Sequence, residues 1–205
     1  MLVTTIITYN DWPLIKDCVD SITGKVDKII IVDGKFWDFP GDDDYSTGDS
    51  LKYLLSLSKD DEFEIILAGG LTEVEKRNIY LKDLKEDDTV LNLDADEVLI
   101  GNISKLESDF GIIDLKDGHS KHIQRRATRF FKFRTGMRYE NVHYTLYYNG
   151  QMINKLQQVI SKDFTSQLIK DFYVLHNWHK REDLRKHNKS IYYKKLIKNE
   201  AGFKR

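Results

Sequence analysis

The sequence contains little cysteine, little proline and no excess of charge of either sign. Its 205 residues include one cysteine, Cys18, and two prolines, and 32 basic residues balance 33 acidic ones. A single cysteine cannot form an internal disulfide, so the chain suits a reducing compartment. A net charge of −1 gives no reason to expect a polyanionic partner. These values fit an ordinary α/β domain that is long enough to bury a hydrophobic core.

Long apolar runs are missing as well. No stretch approaches the roughly 18 residues that a membrane span needs. The opening residues, LVTTIITYN, lack the basic region and the cleavage site of a signal peptide. We therefore expect a soluble protein of the cytoplasm.

The segment from about Lys180 onward is basic, and its pattern predicts a helix. Such a helix has two interpretations. It can rest on an anionic membrane surface, or it can be packed on one side and solvated on the other. The second arrangement is more common, and the sequence leaves both open.

In the first half of the chain, apolar runs rich in β-branched residues alternate with amphipathic stretches. We predict strands at 3–8, 28–34, 63–69 and 89–94, with helices between them at 10–24, 46–58 and 72–85. Asn10 or Asp11 is expected to cap the first helix, which carries Cys18 on its apolar face, and Thr72 with Glu75 predicts a capping box for the third. This alternation indicates crossover connections and a parallel sheet.

The second half of the chain predicts strands and fewer helices. Strands are expected at 110–115, 127–133, 143–153 and 171–178, and the pair Asn149-Gly150 is a strong hairpin signal. The run RRATRFFKFR has the composition of a single-strand nucleic-acid site, but its alternation favours a half-buried strand with cations outward, so we expect no nucleic acid. The fold class predicted is α/β, with a mainly parallel central sheet flanked by helices and a small antiparallel hairpin portion.

Acidic residues follow two of the predicted strands, at Asp33 and within the stretch TVLNLDADEVLI. The carboxyl ends of parallel strands form the ligand-binding edge of a sheet. Asp94 and Asp96, two apart in an extended chain, should aim at one spot while Ala95 turns inward. Converging carboxylates repel each other unless a cation lies between them. Because Mg²⁺ and Mn²⁺ combine such ligands with substrate phosphates, the pattern predicts a metal–diphosphate site; the alternative is an acidic, solvated turn.

Six segments follow one another over most of the chain: VTTIITYNDWPLIKDCVDSI, IIIVDG, EVEKRN, DDTVLNLDADEVL, RFFKFRTGMRYENVHYTL and VLHNWHKREDLRKHNKSIYYKKL. In this order they resemble glycosyltransferases of the GT-A fold, particularly the family 2 group with a D-A-D-E motif. The D-x-D motif alone is short and common, whereas six segments in order are specific.

The resemblance implies one GT-A domain over 1–205, with a nucleotide-sugar-binding half (1–98) and an acceptor half (99–205). It implies a hexosyltransferase-type enzyme that uses Mn²⁺ or Mg²⁺. Such an enzyme moves a sugar, usually with inversion, from a nucleotide-diphosphate sugar to a hydroxyl of a glycan, lipid-linked or protein acceptor.

The resemblance also implies roles for individual residues. Asp96 is expected to bind the metal, Asp94 to meet the ribose or the metal, and His176 to complete the metal shell or contact phosphate. The remaining donor contacts are expected at Thr8, Tyr9, Asp33 and Arg77.

The residue that deprotonates the acceptor hydroxyl stays open between Glu97 and Glu140. One position departs from the family pattern, because Tyr144 stands where the family often has Glu. This departure keeps a non-catalytic nucleotide-sugar- or glycan-binding protein as an alternative. A sugar-phosphate nucleotidyltransferase is a second alternative, although residues 8–24 lack the Gly-rich phosphate loop usual in such enzymes.

Overall fold

The computed structural model describes residues 1–37, 39–141, 145–155 and 158–181, together with positions 187, 190 and 191. In this part of the chain the helices are α1 (Leu14–Asp20), α2 (Gly48–Leu57) and α3 (Glu73–Leu81), and a 3₁₀ turn covers Trp178–Lys180. The strands are β1 (Leu2–Thr8), β2 (Lys28–Asp33), β3 (Phe63–Leu67), β4 (Thr89–Asp94), β5 (Glu97–Gly101), β6 (Phe110–Asp117), β7 (Ile123–Lys132), β8 (Arg138–Asn141), β9 (Thr145–Tyr148), β10 (Gln151–Met152), β11 (Asn154–Lys155), β12 (Gln158–Val159), β13 (Ser166–Leu168) and β14 (Phe172–His176).

Nine of these strands form one mixed sheet in the order β3-β2-β1-β4-β7-β6-β14-β5, with β13 beside β6. Strands β1 to β4 are parallel, as predicted from the alternation of strands and helices. Strand β7 runs antiparallel between β4 and β6, and β14 is parallel to β6. Strands β8, β9 and β10 form a small antiparallel sheet. The protein is therefore a mixed α/β fold with a mostly parallel central sheet and few helices.

The parallel strands are covered on both faces. Because successive residues of a strand point to opposite faces, Ile29 and Ile31 of β2 pack with apolar residues of α1 and α2, while Ile30 and Val32 pack with those of α3. Cys18 lies in the first of these clusters and is fully buried, as predicted. With both faces closed, the edge at the strand ends is where the polar groups of these strands collect.

The predicted capping box at Thr72 and the predicted hairpin turn at Asn149-Gly150 are both confirmed. The Thr72 side chain accepts a hydrogen bond from Glu75 N (3.2 Å), and the Glu75 carboxylate accepts one from Thr72 N (2.8 Å), which completes the capping box. Asn149 and Gly150 adopt φ of 49° and 76° between β9 and β10, as a two-residue hairpin turn requires.

The prediction that Asn10 or Asp11 caps α1 is wrong. Neither side chain caps that helix, because both are used by the neighbouring loops. Asn10 Oδ1 accepts from Thr47 N (2.8 Å), and Asp11 Oδ2 accepts from Tyr9 N (3.2 Å). Strand β5 was not predicted, since its first residue, Glu97, belongs to the acidic stretch that suggested a turn.

Some sequence predictions fall outside the described residues. They include Tyr144 and, apart from positions 187, 190 and 191, the basic segment after Arg181. Among the described residues, no helix has the length and apolarity needed to cross a membrane.

The capping box gives a stability prediction. Thr72→Ala should lower the free energy of unfolding by about 1 kcal/mol, measured by urea denaturation. Thr47→Ala is the matched control, because Thr47 occupies the same position at the start of α2 without a side-chain capping bond. Equal losses in the two variants would show that the box contributes nothing specific.

Candidate functional site

The acidic residues predicted to form a site lie at one edge of the sheet. Strands β1, β2 and β4 are parallel, so Asp33 and Asp94 end their strands on the same side. Following the sheet through β7 and β6 shows that β14 points the same way, which brings its last residue, His176, to that edge. The edge therefore joins residues from both halves of the sequence.

Asp94 is held between two arginines. Its Oδ1 lies 3.1 Å from an Arg77 Nη, and its Oδ2 lies 3.3 Å from an Arg129 Nη. Arg77 also donates from Nε to Glu73 Oε1 at 3.0 Å. Both arginines are buried, whereas the Asp94 side chain keeps 25% of its surface exposed. Asp94 is thus an oriented carboxylate that still faces the edge.

Glu97 is completely buried beneath Asp94. Its Oε2 accepts from Asp94 N (2.8 Å) and forms an ion pair with Arg129. Its Oε1 has no hydrogen-bond partner among the described residues. Burial raises the pKa of Glu97, and the charge of Arg129 offsets this only in part.

Asp96 binds a different set of groups. Its Oδ2 accepts from Arg181 Nε at 2.7 Å and lies 3.4 Å from His176 Nε2. Arg181 also reaches the loop after β1, where its Nη1 lies 3.1 Å from Asp11 Oδ1. Burial would lower the pKa of Arg181, but the charges of Asp11 and Asp96 outweigh it and raise that pKa. Arg181 thereby ties the start of the C-terminal segment to two acids at the edge.

His176 is oriented from both ring nitrogens. Across the sheet it pairs in register with Glu97, and its Nδ1 lies 3.3 Å from Gln124 Oε1. Burial would lower the pKa of His176, but the hydrogen bond to Asp96 and the negative charges of the neighbouring acids raise it overall. The Asp96–His176 pair therefore combines two residues 80 positions apart that the sequence resemblance assigned to one site.

The geometry differs in one respect from the expectation that Asp94 and Asp96 share a single spot. The chain leaves β4 and turns at residues 95 and 96, so the two carboxylates engage different arginines. Ala95 does turn inward, into the core. The repulsion that suggested a divalent cation is already offset by three guanidinium groups.

A divalent ion would fit this edge only with ligands from a substrate. Within the ranges described, no three or more His, Cys, Asp or Glu side chains are grouped as a metal centre. Asp96 and His176 offer one carboxylate oxygen and one imidazole nitrogen that lie 3.4 Å apart. Mg²⁺ and Mn²⁺ typically accept such a small protein set and complete their shells with phosphate oxygens and water. Arg181 Nε binds the same Asp96 oxygen that lies nearest His176 Nε2.

The residues expected at the nucleoside are buried around the ends of β1 and β2. Thr8 Oγ1 donates to Asp11 Oδ2 (3.2 Å), and Tyr9 Oη donates to the carbonyl of Asp43 (2.9 Å). Both oxygens of Asp33 accept hydrogen bonds from Ser46, at 2.9 Å from its N–H and 2.5 Å from its hydroxyl. The polar atoms of Thr8, Tyr9 and Asp33 therefore form hydrogen bonds with the loops that border the edge.

Lys76 lies beside this group and was not expected from the sequence. It is fully buried, donates to the carbonyl of Gly34, and places Nζ 4.5 Å from the centre of the Phe36 ring. Burial lowers the pKa of Lys76 to about 8, while the charge of Asp33 acts in the opposite direction.

Glu140 is separate from the acidic residues. It is exposed on β8, where it pairs with Arg138, and no described hydrogen bond or ion pair links it to the edge. Glu97, the other residue considered as a base, is buried against Arg129. The structure therefore does not select a general base.

Sequence reasoning found Arg77 but missed the other two arginines that organise the site, Arg129 and Arg181. Arg129 lies in the run interpreted as a strand with cations outward; the strand is present, but Arg129 points inward and is buried. The signal available was one arginine between apolar neighbours in ATRFF. Arg181 gave no comparable signal, since it stands in a basic segment.

Among known proteins, only solved structures are similar to the chain. No protein-family model and no curated protein matches the chain. Two solved structures of TarS from S. aureus are similar at 19% identity over 61% of this chain, with TM-scores of 0.43 and 0.44. This chain covers 23% of the longer TarS chain and 39% of the shorter, so it spans well under half of either. Similarity of this size does not establish a family or an activity.

The buried amine of Lys76 predicts a specific pH dependence. Its pKa falls from an ordinary 10.5 to about 8 in the folded chain, so between these values the unfolded chain binds the extra proton. The free energy of unfolding should therefore rise with pH across this window, by up to about 3 kcal/mol. Lys76→Met should remove the rise in urea titrations from pH 7.5 to 10.5.

Lys82→Met is the matched control, because Lys82 is exposed just after the same helix. It should keep the wild-type pH slope. If Lys76→Met also keeps that slope, Lys76 is not the group responsible.

Proposed function

We propose that this protein is a metal-dependent glycosyltransferase of the GT-A type. It transfers a sugar, as a hexosyltransferase-type enzyme, from a nucleotide-diphosphate sugar to a hydroxyl of an acceptor. The observation that carries the proposal is the 3.4 Å approach of His176 Nε2 to Asp96 Oδ2 at the carboxyl edge of a parallel sheet. An acid from the D-A-D-E stretch and a histidine from the last strand meet where such sheets bind nucleotides.

The fold supports the same location for the donor. The half formed by β1 to β4 is parallel, and its carboxyl edge carries Asp33, Asp94 and Asp96. A nucleoside would lie near Thr8, Tyr9 and Asp33, whose loops border this edge. The diphosphate would then lie between β4 and β14.

In the reaction, the acceptor oxygen bonds to the anomeric carbon as the bond from that carbon to the diphosphate breaks. The acceptor proton passes to a base, and the nucleoside diphosphate leaves with the electron pair. Inversion at the anomeric carbon follows from the family resemblance. Mn²⁺ or Mg²⁺ held by Asp96 and His176 would supply Lewis-acid stabilisation of the leaving diphosphate.

The arginines of the site act on the carboxylates. Arg77 and Arg129 hold Asp94 from two sides, which fixes the direction of its carboxylate. Arg129 also joins Asp94 to Glu97, so these two acids are positioned together. Arg181 pairs with Asp96 and Asp11, so a cation bound at Asp96 would compete with this guanidinium.

We expect the enzyme to act in the cytoplasm, with the basic C-terminal segment available for peripheral contact with a membrane. A non-catalytic nucleotide-sugar-binding protein would share the donor site and differ only in turnover.

The metal role of Asp96 predicts the result of a binding experiment. Asp96→Asn should abolish metal-dependent binding of UDP and GDP, because the amide cannot supply the negative charge. Calorimetry with Mn²⁺ and with EDTA measures this for wild type and variant. Asp42→Asn, at an exposed position in the loop after β2, is the control and should bind as wild type does.

Removing one partner of a buried ion pair costs about 3–5 kcal/mol, so thermal unfolding must show that Asp96→Asn is folded at the assay temperature. Unchanged metal-dependent affinity in the folded variant would refute the assignment.

Competition between Arg181 and the metal predicts a gain in affinity. Arg181→Met should bind Mn²⁺ alone roughly tenfold more tightly than wild type, because it removes the internal cation from Asp96 and Asp11. Calorimetric Mn²⁺ titration without nucleotide measures the change. Arg126→Met removes an exposed arginine from β7 and should change nothing. Weaker or equal Mn²⁺ binding in Arg181→Met would mean that the guanidinium does not occupy the metal position.

A further inference from the structure

All three tryptophans of the chain are exposed, at 40% for Trp12, 52% for Trp37 and 48% for Trp178. Tryptophan is on average highly buried, and it is enriched at binding hot spots. The three residues follow β1, β2 and β14, whose carboxyl ends lie at the same edge as the acids. Apolar rings at the polar edge of the sheet therefore need a separate explanation.

Trp178 is fixed in its orientation. Its indole Nε1 donates to Asp117 Oδ2 at 3.4 Å. The other oxygen of Asp117 accepts from the N–H groups of Ser120 (2.7 Å) and His119 (2.9 Å). The hydrogen bond from Ser120 N, supported by the others, lowers the pKa of Asp117 and keeps it an acceptor. An exposed ring that is held in place binds a ligand at a lower entropic cost than a mobile one.

The turn at 117–121 is built to approach the segment that carries Trp178. Gly118 N donates to the carbonyl of His176 at 3.0 Å. A Cβ at Gly118 would overlap Asn177 Oδ1 and come within 3.0 Å of His179 Cε1. Glycine is therefore the residue that allows this turn to pack on residues 176–179 without displacing them.

A chain of hydrogen bonds connects the indole to the candidate active site. Asp117 Oδ2, which accepts from Trp178, also accepts from Gln124 Nε2 at 2.9 Å. Gln124 Oε1 lies 3.3 Å from His176 Nδ1, and His176 Nε2 lies 3.4 Å from Asp96. Trp178 is thus linked to His176 of the proposed donor site through the side chains of Asp117 and Gln124.

A surface depression of about 430 Å³ adjoins the same segment: Asn177 and Lys180, on either side of Trp178 in the chain, line it, and Trp178 itself does not. Six of its lining residues are polar, and they bring two carboxylates, two ammonium groups, an amide and a hydroxyl: Asp17, Asp20, Lys121, Lys180, Asn177 and Ser21. The opposite charges balance, which suits a neutral ligand with many hydroxyl groups better than a phosphate. Only Val98 and Leu175 give it apolar side chains, so it is not a channel for a lipid chain.

From this arrangement we infer that Trp178 and the depression beside it form the acceptor site, and that the acceptor is a glycan. The inference rests on the proposed function and names its acceptor. A pyranose ring presents one face of C–H groups, which packs on an aromatic plane, and a rim of hydroxyls, which takes polar partners of both kinds. Trp178 supplies the plane for one sugar unit, and the depression, lined by the neighbouring Asn177 and Lys180, supplies polar partners for the next unit of the same glycan.

The test measures glycan binding without donor or metal, so it does not depend on the proposed reaction. Saturation-transfer NMR is recorded with soluble tetrasaccharides of the cello, chito, manno and malto series at millimolar concentration. We expect at least one series to bind, and Trp178→Ala to weaken that binding roughly tenfold. Trp178→Phe keeps a ring without the N–H and should retain most of the affinity.

Trp12→Ala is the matched control. Trp12 is almost as exposed, but it packs on Tyr53 of α2 with ring centres 5.6 Å apart, and it should bind glycans as wild type does. Circular dichroism checks that each variant is folded. Binding that is equal in Trp178→Ala and wild type, or no binding of any of the four series to wild type, would overturn the inference. If Trp178→Ala loses glycan binding and the wild type binds no nucleotide, the glycan site stands and the proposed transferase activity is refuted.

Discussion

The pairing of buried carboxylates with buried arginines at the carboxyl edge is the interaction on which the rest of the site depends. At the end of β4, whose two faces are filled by the core, Asp96 and Glu97 are buried and Asp94 is partly buried. An unpaired buried charge would be very costly, and only a close, hydrogen-bonded cation makes such a position tolerable. Arg129 and Arg181, which come from β7 and from the segment after β14, therefore fix where the second half of the chain meets the first.

The edge carries arginines in two different settings. Arg129 lies between Asp94 and Glu97, whereas Arg181 bridges Asp96 and Asp11 from the segment after β14. A donor diphosphate with its metal would bring its own compensation for Asp96. If the proposed function holds, Arg181 supplies at Asp96 the positive charge that a metal ion would supply there, and donor binding would compete with that contact.

Much of the fold could be predicted from the sequence, because strand and helix periods are local properties. The parallel half, the capping box at Thr72 and the hairpin at Asn149-Gly150 all depend on residues a few positions apart. The place of the acids followed from their position after a strand. Their partners did not, because Arg181 stands 85 residues from Asp96 and nothing in a local pattern marks an arginine that will be buried. Strand β5 was missed for a related reason, since the ion pair that allows Glu97 to be buried lies outside its own segment.

The most direct measurement is an anomalous difference map, at the manganese edge, from crystals grown with Mn²⁺ and UDP or GDP. The account predicts a peak at coordination distance from Asp96 and His176, in contact with the diphosphate, with Arg181 moved away from Asp96. A bound nucleotide without a peak at this edge, or a peak elsewhere while Arg181 still holds Asp96, would contradict it. The acids after β4 would then be a structural ion-pair cluster and no part of a metal–diphosphate site.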